Sequence, residues 1–227
     1  MPVFLLSNTI AFPPPHLADK SGLLAVGGDL SRERLIKAYR SGIFPWYSGG
    51  EPILWWSPDP RLVLFPHALH VSKRLERILR KGEFQISFDR AFPEVIRACA
   101  ESRAQKNEGT WLVPEMIEAY ETLHEFGQAH SVEAWRNGQL VGGLYGVSLG
   151  RCFFGESMFT KVANASKAAF VTLVRQLTAL NFDMIDCQVT TAHLVNFGAT
   201  EISRKKFLIL LDASLKKPTI PGRWSGL

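Results

Sequence analysis

The chain has 227 residues, of which 46% are hydrophobic and 21% charged, and it carries a net charge of +5. These values suit a folded globular protein and exclude a disordered tail, a collagen and a coiled coil. Three cysteines without a CxxC pair argue against a disulfide framework and a four-thiolate zinc site. No apolar run approaches the ~20 residues of a membrane span, and residues 1–15 lack the features of a signal peptide. We therefore expect a soluble, cytoplasmic protein that does not enter a membrane.

Residues 1–62 are rich in proline and predict a small, loop-rich N-terminal domain. They contain one clear helix. Ser31 caps its start, Gly42 ends it, and its buried stripe consists of Leu35, Ile36 and Tyr39. From residue 63 to residue 227 the pattern becomes regular and predicts a second, larger domain.

A basic helix opens this second domain at 71–81. Its apolar residues Val71, Leu75, Ile78 and Leu79 form one stripe, so its cations lie on the opposite face. Such a ridge is either an ordinary solvated helix face or a surface for phosphate backbones. The cations are Lys73, Arg74, Arg77, Arg80 and Lys81.

The remaining pattern predicts an α+β domain with a mixed sheet. The predicted elements are a strand at 84–88, helices at 91–102 and 114–126, a hairpin at 131–149, a strand at 151–154, a helix at 166–180, a strand at 184–189, a short helix ending at Gly198 and a strand at 207–211. This element order is that of the N-acetyltransferase-like (GNAT-like) fold. Its coenzyme A loop would fall at 161–167, which contains no glycine, so backbone amides cannot closely approach a pyrophosphate there.

Three polar residues fall where the strand pattern predicts burial: Glu156, Asp186 and Gln188. By period-2 alternation, Asp186 and Gln188 should point to the same face. They form either a structural hydrogen-bond network or a site for a cationic or amine substrate. Neither GxSxG, HExxH nor a Walker loop occurs, so we predict no metal and no cofactor.

Loop tryptophans offer a similar choice between two roles. Trp46, Trp55, Trp56 and Trp111 lie in segments rich in glycine and proline. They are either plugs between domains or surfaces on which a nucleobase stacks.

Ten ordered strings resemble the leucyl/phenylalanyl-tRNA–protein transferases, a family of bacterial aminoacyltransferases, from about residue 4 to about residue 210. They are GLLAVGGDLS (22–31), AYRSGIFPWYS (39–48), ILWWSPDPR (53–61), EGTWLVPEMIEAY (108–120), HSVEAW (130–135), LVGGLYGV (140–147), FFGESMF (153–159), NASKAA (164–169), IDCQV (185–189) and HL…FGA (193–199).

The resemblance implies a monomeric, cytoplasmic enzyme without metal or coenzyme. It would move Leu or Phe, and less readily Met, from aminoacyl-tRNA to the N-terminal Arg or Lys of a protein, which marks that protein for N-degron degradation. Trp46, Trp111 and Tyr120 resemble the family's adenosine-side residues. We expect an apolar pocket for the transferred side chain, formed by Leu144, Phe153, Met158, Phe170 and Ile185.

The resemblance also gives the polar residues a task. Asp186 would receive or orient the amine proton, Gln188 would hold the amine or the ester carbonyl, and Glu156 would anchor the acceptor; if proximity dominates, Asp186 is chiefly an electrostatic positioner. Thr190 and Thr191 stand where some relatives carry an Asn, so we assign no role there. The rival hypotheses are a coenzyme A-dependent N-acetyltransferase and a non-catalytic binder of charged tRNA.

Overall fold

The structure is a computed structural model, and it describes residues 3–104 and 112–226, without the side chains of residues 103 and 104. Hydroxyl side chains cap several of its helices: those of Ser31, Ser72 and Ser203 accept a hydrogen bond from the backbone N–H three residues later. In the described part the helices are α1 (Arg32–Arg40), α2 (Lys73–Arg80), α3 (Phe92–Ala104), α4 (Pro114–Glu125), α5 (Ala165–Ala179), α6 (Ala192–Val195) and α7 (Arg204–Leu215).

The strands form a small and a large sheet. The small sheet has the order β1-β2-β4-β3, with β1 (Phe4–Leu6), β2 (Leu23–Gly27), β3 (Phe44–Pro45) and β4 (Leu54–Trp56). The large sheet has the order β11-β5-β10-β9-β8-β7-β6, with β5 (Arg61–Leu64), β6 (Gln85–Phe88), β7 (Ala129–Arg136), β8 (Gln139–Leu149), β9 (Cys152–Thr160), β10 (Met184–Gln188) and β11 (Thr200–Ile202).

The large sheet is mixed because one connection crosses over. β6 to β9 form an antiparallel meander, and the hairpin β7–β8 turns at Asn137-Gly138, where both residues have positive φ. After β9 the chain crosses through α5 and returns as β10, which runs parallel to β9. This confirms the expected mixed α+β architecture with a meander followed by a helix and a strand.

Apolar side chains cover both faces of the large sheet. One core joins α1, α3, α4, α7 and the small sheet, and includes the buried rings of Tyr39, Trp55 and Phe207. The other lies beneath α2 and α5 and includes Phe153, Phe170 and, from the C-terminal segment, Trp224. The second core and the small sheet thus flank the point where β9 and β10 meet.

The strand predicted at 207–211 is wrong. These residues lie inside α7, whose buried side chains Phe207, Leu211 and Ser214 recur at helical spacing. A short run of aliphatic residues has no period that separates a strand from a buried helix, whereas the cap at Ser203 was a helix signal that we did not use. The adjacent short strand β11 was not predicted.

The strand predicted at 151–154 continues six residues further, to Thr160, and the other predicted elements occur with bounds shifted by a few residues. The division at residue 62 stays a prediction, although β5 already belongs to the large sheet from Arg61 onward. None of the helices in the described residues combines the length and apolarity that a bilayer crossing requires.

Candidate active site

A cavity of about 460 Å³ opens where β9 and β10 separate. The two strands pair only as far as Asp186 opposite Phe154, while β9 continues to Thr160 along β8. Each strand carries a bulge at this point. In β9, Glu156 has no paired residue on β8. In β10 the pairing with β5 is irregular between Asp186 and Gln188, and Gln188 has a φ of +63°. A bulge re-aims a side chain and ends pairing, so the two irregularities together open the crevice.

The apolar wall of the cavity contains five residues that the sequence assigned to an aminoacyl pocket: Leu144, Phe153, Met158, Phe170 and Ile185. Gly146 lets the Phe153 ring lie across β8, since a Cβ at that position would come 2.6 Å from the ring. The structure therefore brings the whole predicted pocket together, although what it binds stays a prediction.

The predicted adenosine-side residues separate into three situations. Trp46 lines the cavity mouth, keeps 43% of its surface exposed and lies 5.9 Å from the Trp56 ring. Tyr120 is fully buried behind the cavity instead, with its hydroxyl on Glu156. Trp111 lies outside the described residues. Of the two that the structure describes, Trp46 is the one that offers an exposed ring face at the opening.

Glu156 is held from three elements of the fold. Its Oε1 accepts from Tyr39 of α1 at 2.8 Å and from Gln188 Nε2 at 2.8 Å, while its Oε2 lies 2.9 Å from the hydroxyl of Tyr120 on α4. Burial raises the pKa of Glu156 to about 7, and the hydrogen bonds from the two tyrosines oppose that rise. A carboxyl group that changes charge near neutral pH therefore faces the cavity.

Asp186 lies behind the cavity wall and is already paired. Its two oxygens accept from Arg61 Nε at 2.8 Å and Nη2 at 2.7 Å, and both side chains are almost completely buried. Its Oδ1 also accepts from the backbone N–H of Gln188 at 2.9 Å. Asp186 therefore supports the Gln188 bulge and cancels the charge of Arg61.

The expectation that Asp186 and Gln188 share a face differs from the structure. Gln188 lines the cavity together with Ile185 and Cys187, whereas Asp186 points toward Arg61 on the other side of the sheet. The bulge between Asp186 and Gln188 breaks the period of two on which that expectation rested.

Sequence reasoning missed three residues at this site. Arg61 was treated as a domain boundary, although a basic residue at the start of an otherwise apolar strand signals a buried ion pair. Tyr39 was assigned to the apolar stripe of α1. This is correct for its ring, which is buried, but it did not predict that its hydroxyl donates to Glu156. Phe44, on the short strand β3, also lines the cavity and was not predicted.

The five cations of the basic helix are all exposed, while Leu75 is buried against the core. Within the described residues, the salt bridges of the structure involve none of the five. α2 packs against α5, and Glu76 of α2 forms a salt bridge of 2.5 Å with Arg175 of α5. Phe170 of α5 lines the cavity, so the positive face of α2 lies on a helix next to the cavity wall.

No cluster of three or more His, Cys, Asp or Glu side chains with the arrangement of a metal site occurs in the part of the chain that the structure describes. Polar cavity residues besides Glu156 and Gln188 include Ser157, Thr191 and His193. The arrangement joins an apolar recess to a carboxyl and an amide, which suits an apolar acyl group beside an amine.

Comparisons with known proteins assign the family. The model of the leucyl/phenylalanyl-tRNA protein transferase family matches residues 63–212, and the model of its N-terminal domain matches residues 28–59. A leucyl/phenylalanyl-tRNA–protein transferase of Syntrophobacter fumaroxidans is 59% identical over 100% of this chain and 97% of its own length. One of Desulfatibacillum aliphaticivorans is 60% identical over 99% of this chain and 97% of its own length.

Solved structures resemble the chain only distantly. An aminoglycoside acetyltransferase from a soil metagenome, in complex with sisomicin, is 14% identical, covers 52% of this chain and 86% of its own, and gives a TM-score of 0.40. That similarity is too low to bear on activity. The similarity to the curated relatives, in contrast, covers the full length at 59–60% identity and confirms the family that the sequence motifs indicated. The chain belongs to the leucyl/phenylalanyl-tRNA–protein transferases.

Proposed function

We propose that this chain transfers Leu or Phe, and less readily Met, from aminoacyl-tRNA to the N-terminal Arg or Lys of acceptor proteins. The observation that carries the proposal is the cavity itself, in which an apolar recess adjoins Glu156 and Gln188. The product would enter N-degron degradation in the cytoplasm, and the chain would act as a monomer.

The apolar recess suits the side chain of the donor. Leu144, Phe153, Met158, Phe170 and Ile185 present only hydrocarbon, aromatic and thioether surface to it. An apolar pocket separates ligands by about 1–3 kcal/mol per methylene, so it can accept several large apolar side chains while refusing charged ones. Trp46 at the mouth provides a face on which the terminal adenosine of the donor can stack.

The polar end suits the cationic acceptor. Gln188 Nε2 donates to Glu156, which leaves the carbonyl oxygen of the same amide to accept from the α-ammonium group. Glu156 supplies negative charge near it when ionised. Asp186, whose carboxylate is held by Arg61 and the Gln188 N–H, acts in this proposal as the positioner of Gln188.

The reaction needs no further energy source because the donor is an activated ester. The α-ammonium loses a proton, its nitrogen attacks the ester carbonyl carbon, and the C–N bond forms as the bond to the ribose oxygen breaks. A second amine proton ends on that ribose hydroxyl. Holding both partners in line can supply about 7–11 kcal/mol of the barrier reduction.

The basic face of α2 suits the phosphates of the donor. Lys73, Arg74, Arg77, Arg80 and Lys81 are exposed on a helix that packs against α5. Contacts of this kind are independent of sequence and weaken steeply with salt. An acceptor stem lying on this face would therefore lie beside a helix, α5, that borders the cavity through Phe170.

A donor competition tests the proposal. The chain is incubated with an Arg-starting peptide and either radiolabelled Leu-tRNA or radiolabelled acetyl-coenzyme A, with a peptide acetylated at its N-terminus as the control acceptor. We expect label from Leu-tRNA on the free peptide alone. Label only from the thioester would favour the N-acetyltransferase hypothesis, and tRNA binding without any product would favour the non-catalytic binder.

A further inference from the structure

Two tyrosine hydroxyls behind the cavity form a closed triangle of contacts with the carboxyl group of Glu156. The Tyr39 and Tyr120 hydroxyls lie 2.5 Å apart, Tyr39 lies 2.8 Å from Glu156 Oε1, and Tyr120 lies 2.9 Å from Glu156 Oε2. All three residues are buried, and Gln188 Nε2 donates to Oε1 from the cavity side. We call this set of three side chains the Glu156 ring.

Counting protons shows that the Glu156 ring has room for one additional proton. An ionised Glu156 and two neutral tyrosines bring two protons to three oxygen–oxygen contacts, so one contact lacks a proton and its oxygens repel. One additional proton fills all three: Glu156 donates to Tyr120, Tyr120 to Tyr39, and Tyr39 back to Glu156. The ring can therefore take up one proton at its unfilled contact without moving any of its oxygens. In the ionised state both tyrosines can donate to the carboxylate, which lowers the pKa of Glu156.

We propose that Glu156 is the catalytic residue that takes the proton of the acceptor α-ammonium, and that Tyr39 and Tyr120 are positioning residues that hold this proton in the closed ring. This deepens the proposed function and rests on it. Asp186 has no comparable capacity, because Arg61 and the Gln188 N–H already occupy its oxygens.

The proton balance of the step is as follows. One N–H bond of the α-ammonium breaks and its proton moves to the Glu156 carboxylate, directly or along the Gln188 amide that bridges them. The freed nitrogen pair forms the C–N bond, the ester C–O bond breaks, and the second amine proton goes to the ribose oxygen. Glu156 returns its proton to water before the next turnover, and no oxidant or reductant is needed.

The charges around the Glu156 ring favour this role. Burial raises the pKa of Glu156 to about 7, the negative charge of Asp186 adds to the rise, and the tyrosine hydrogen bonds limit it. A base near the ambient pH is suited to an α-amine with a pKa of about 8. Asp186 in turn is paired with Arg61. Among the described residues, the other titratable groups on the cavity wall are Tyr145 of β8, Cys187 of β10 and His193 of α6.

Two of these groups, Cys187 and His193, are neutral where Glu156 titrates. Burial raises the pKa of the Cys187 thiol, and burial together with Lys167 lowers the pKa of His193. The same burial keeps Tyr39 and Tyr120 neutral, because it raises the pKa of each well above 10. Among these five side chains, Glu156 is therefore the one whose charge should follow pH near neutrality.

The first test uses the protein without substrates. An infrared pH titration follows the C=O band of a protonated carboxyl group, which we expect to disappear with a midpoint of about 7 in the wild-type chain. The band should be absent in Glu156→Gln. In Tyr39→Phe and in Tyr120→Phe, loss of a donor to the carboxylate should raise the midpoint by about one unit. Tyr47→Phe, which removes a buried hydroxyl elsewhere, is the matched control and should leave the midpoint unchanged.

The second test measures kcat/KM for an Arg-starting peptide against pH, with Phe-tRNA as donor. We expect Glu156→Gln to lose about 10²–10⁴-fold, and the acidic limb of each tyrosine variant to move upward with its infrared midpoint. A purely structural role would lower activity equally at every pH. Wild-type transfer with limbs that do not follow the midpoints would overturn the proposal for Glu156 while leaving the proposed function intact; absence of transfer with a normal titration would overturn the proposed function instead.

Discussion

Asp186→Asn is expected to damage stability because it leaves Arg61 charged and unpaired in the core. In the wild type, two hydrogen bonds of 2.8 and 2.7 Å join side chains that are 1% and 0% exposed. Removing one partner of such a pair costs about 3–5 kcal/mol. For a chain of this size, that corresponds to a fall in Tm of about 6–20 °C. Arg61→Met should cost a similar amount, since it leaves the carboxylate of Asp186 uncompensated.

The double variant Arg61→Met/Asp186→Leu separates charge from contact. It removes both buried charges and should recover most of the stability that either single change loses. Urea unfolding followed by tryptophan fluorescence, with transfer measured well below each midpoint, gives both quantities. If Asp186→Asn abolished transfer while changing the free energy of unfolding by less than about 1 kcal/mol, a direct chemical role for Asp186 would replace the positioning role.

Three further outcomes follow from the site. Neutralising Lys73, Arg74, Arg77 and Arg80 should weaken tRNA binding and lower the slope of log K against log salt concentration by about one per lost phosphate contact, without changing the preference among amino acids. Lys205→Ala/Lys206→Ala is the control. An unchanged slope in filter binding would contradict a role of α2 in binding tRNA. Met158→Ala should lower kcat/KM for Leu transfer by an amount that corresponds to about 1–3 kcal/mol of lost transition-state stabilisation, with the acceptor KM unchanged. A change confined to the acceptor KM would show that Met158 does not contact the donor side chain. The folded state raises the pKa of Glu156 from 4.5 to about 7. Its contribution to stability is therefore complete below pH 4.5 and is lost as pH rises through about 7. The urea midpoint of the wild type should fall over this pH range, and that of Glu156→Gln should lack this fall.

Local patterns were sufficient to predict most of the large sheet and the apolar wall of the cavity. The turn at Asn137-Gly138 fixes the hairpin, and an aromatic pair at Phe153-Phe154 in a strand predicts burial on both faces. The stripe of α2 likewise predicts which side faces the core, since Leu75 is buried and the cations are exposed. These features depend on neighbours within a few positions along the chain.

Contacts between distant parts of the chain were not predictable in the same way. Arg61 and Asp186 are 125 positions apart, and Tyr39 and Glu156 are 117 apart. A bulge adds a further difficulty, because one extra residue reverses the face of every side chain that follows. The composition of the polar site was therefore foreseen, whereas its pairing, which decides which carboxylate is occupied, was not.

The walls of the cavity come from two parts of the sequence about 100 residues apart, 44–46 and 144–194, and this has a consequence for fragments of the chain. Tyr39 and Phe44 precede the exposed loop at residues 48–51, while Trp55, Arg61 and the large sheet follow it. A cut at that loop yields two pieces, which divide the core around α1 between them, and neither piece has a complete recess. Mixed together, they should regain transfer only by reassociating, so the restored activity of a split chain would report how tightly its two portions hold each other.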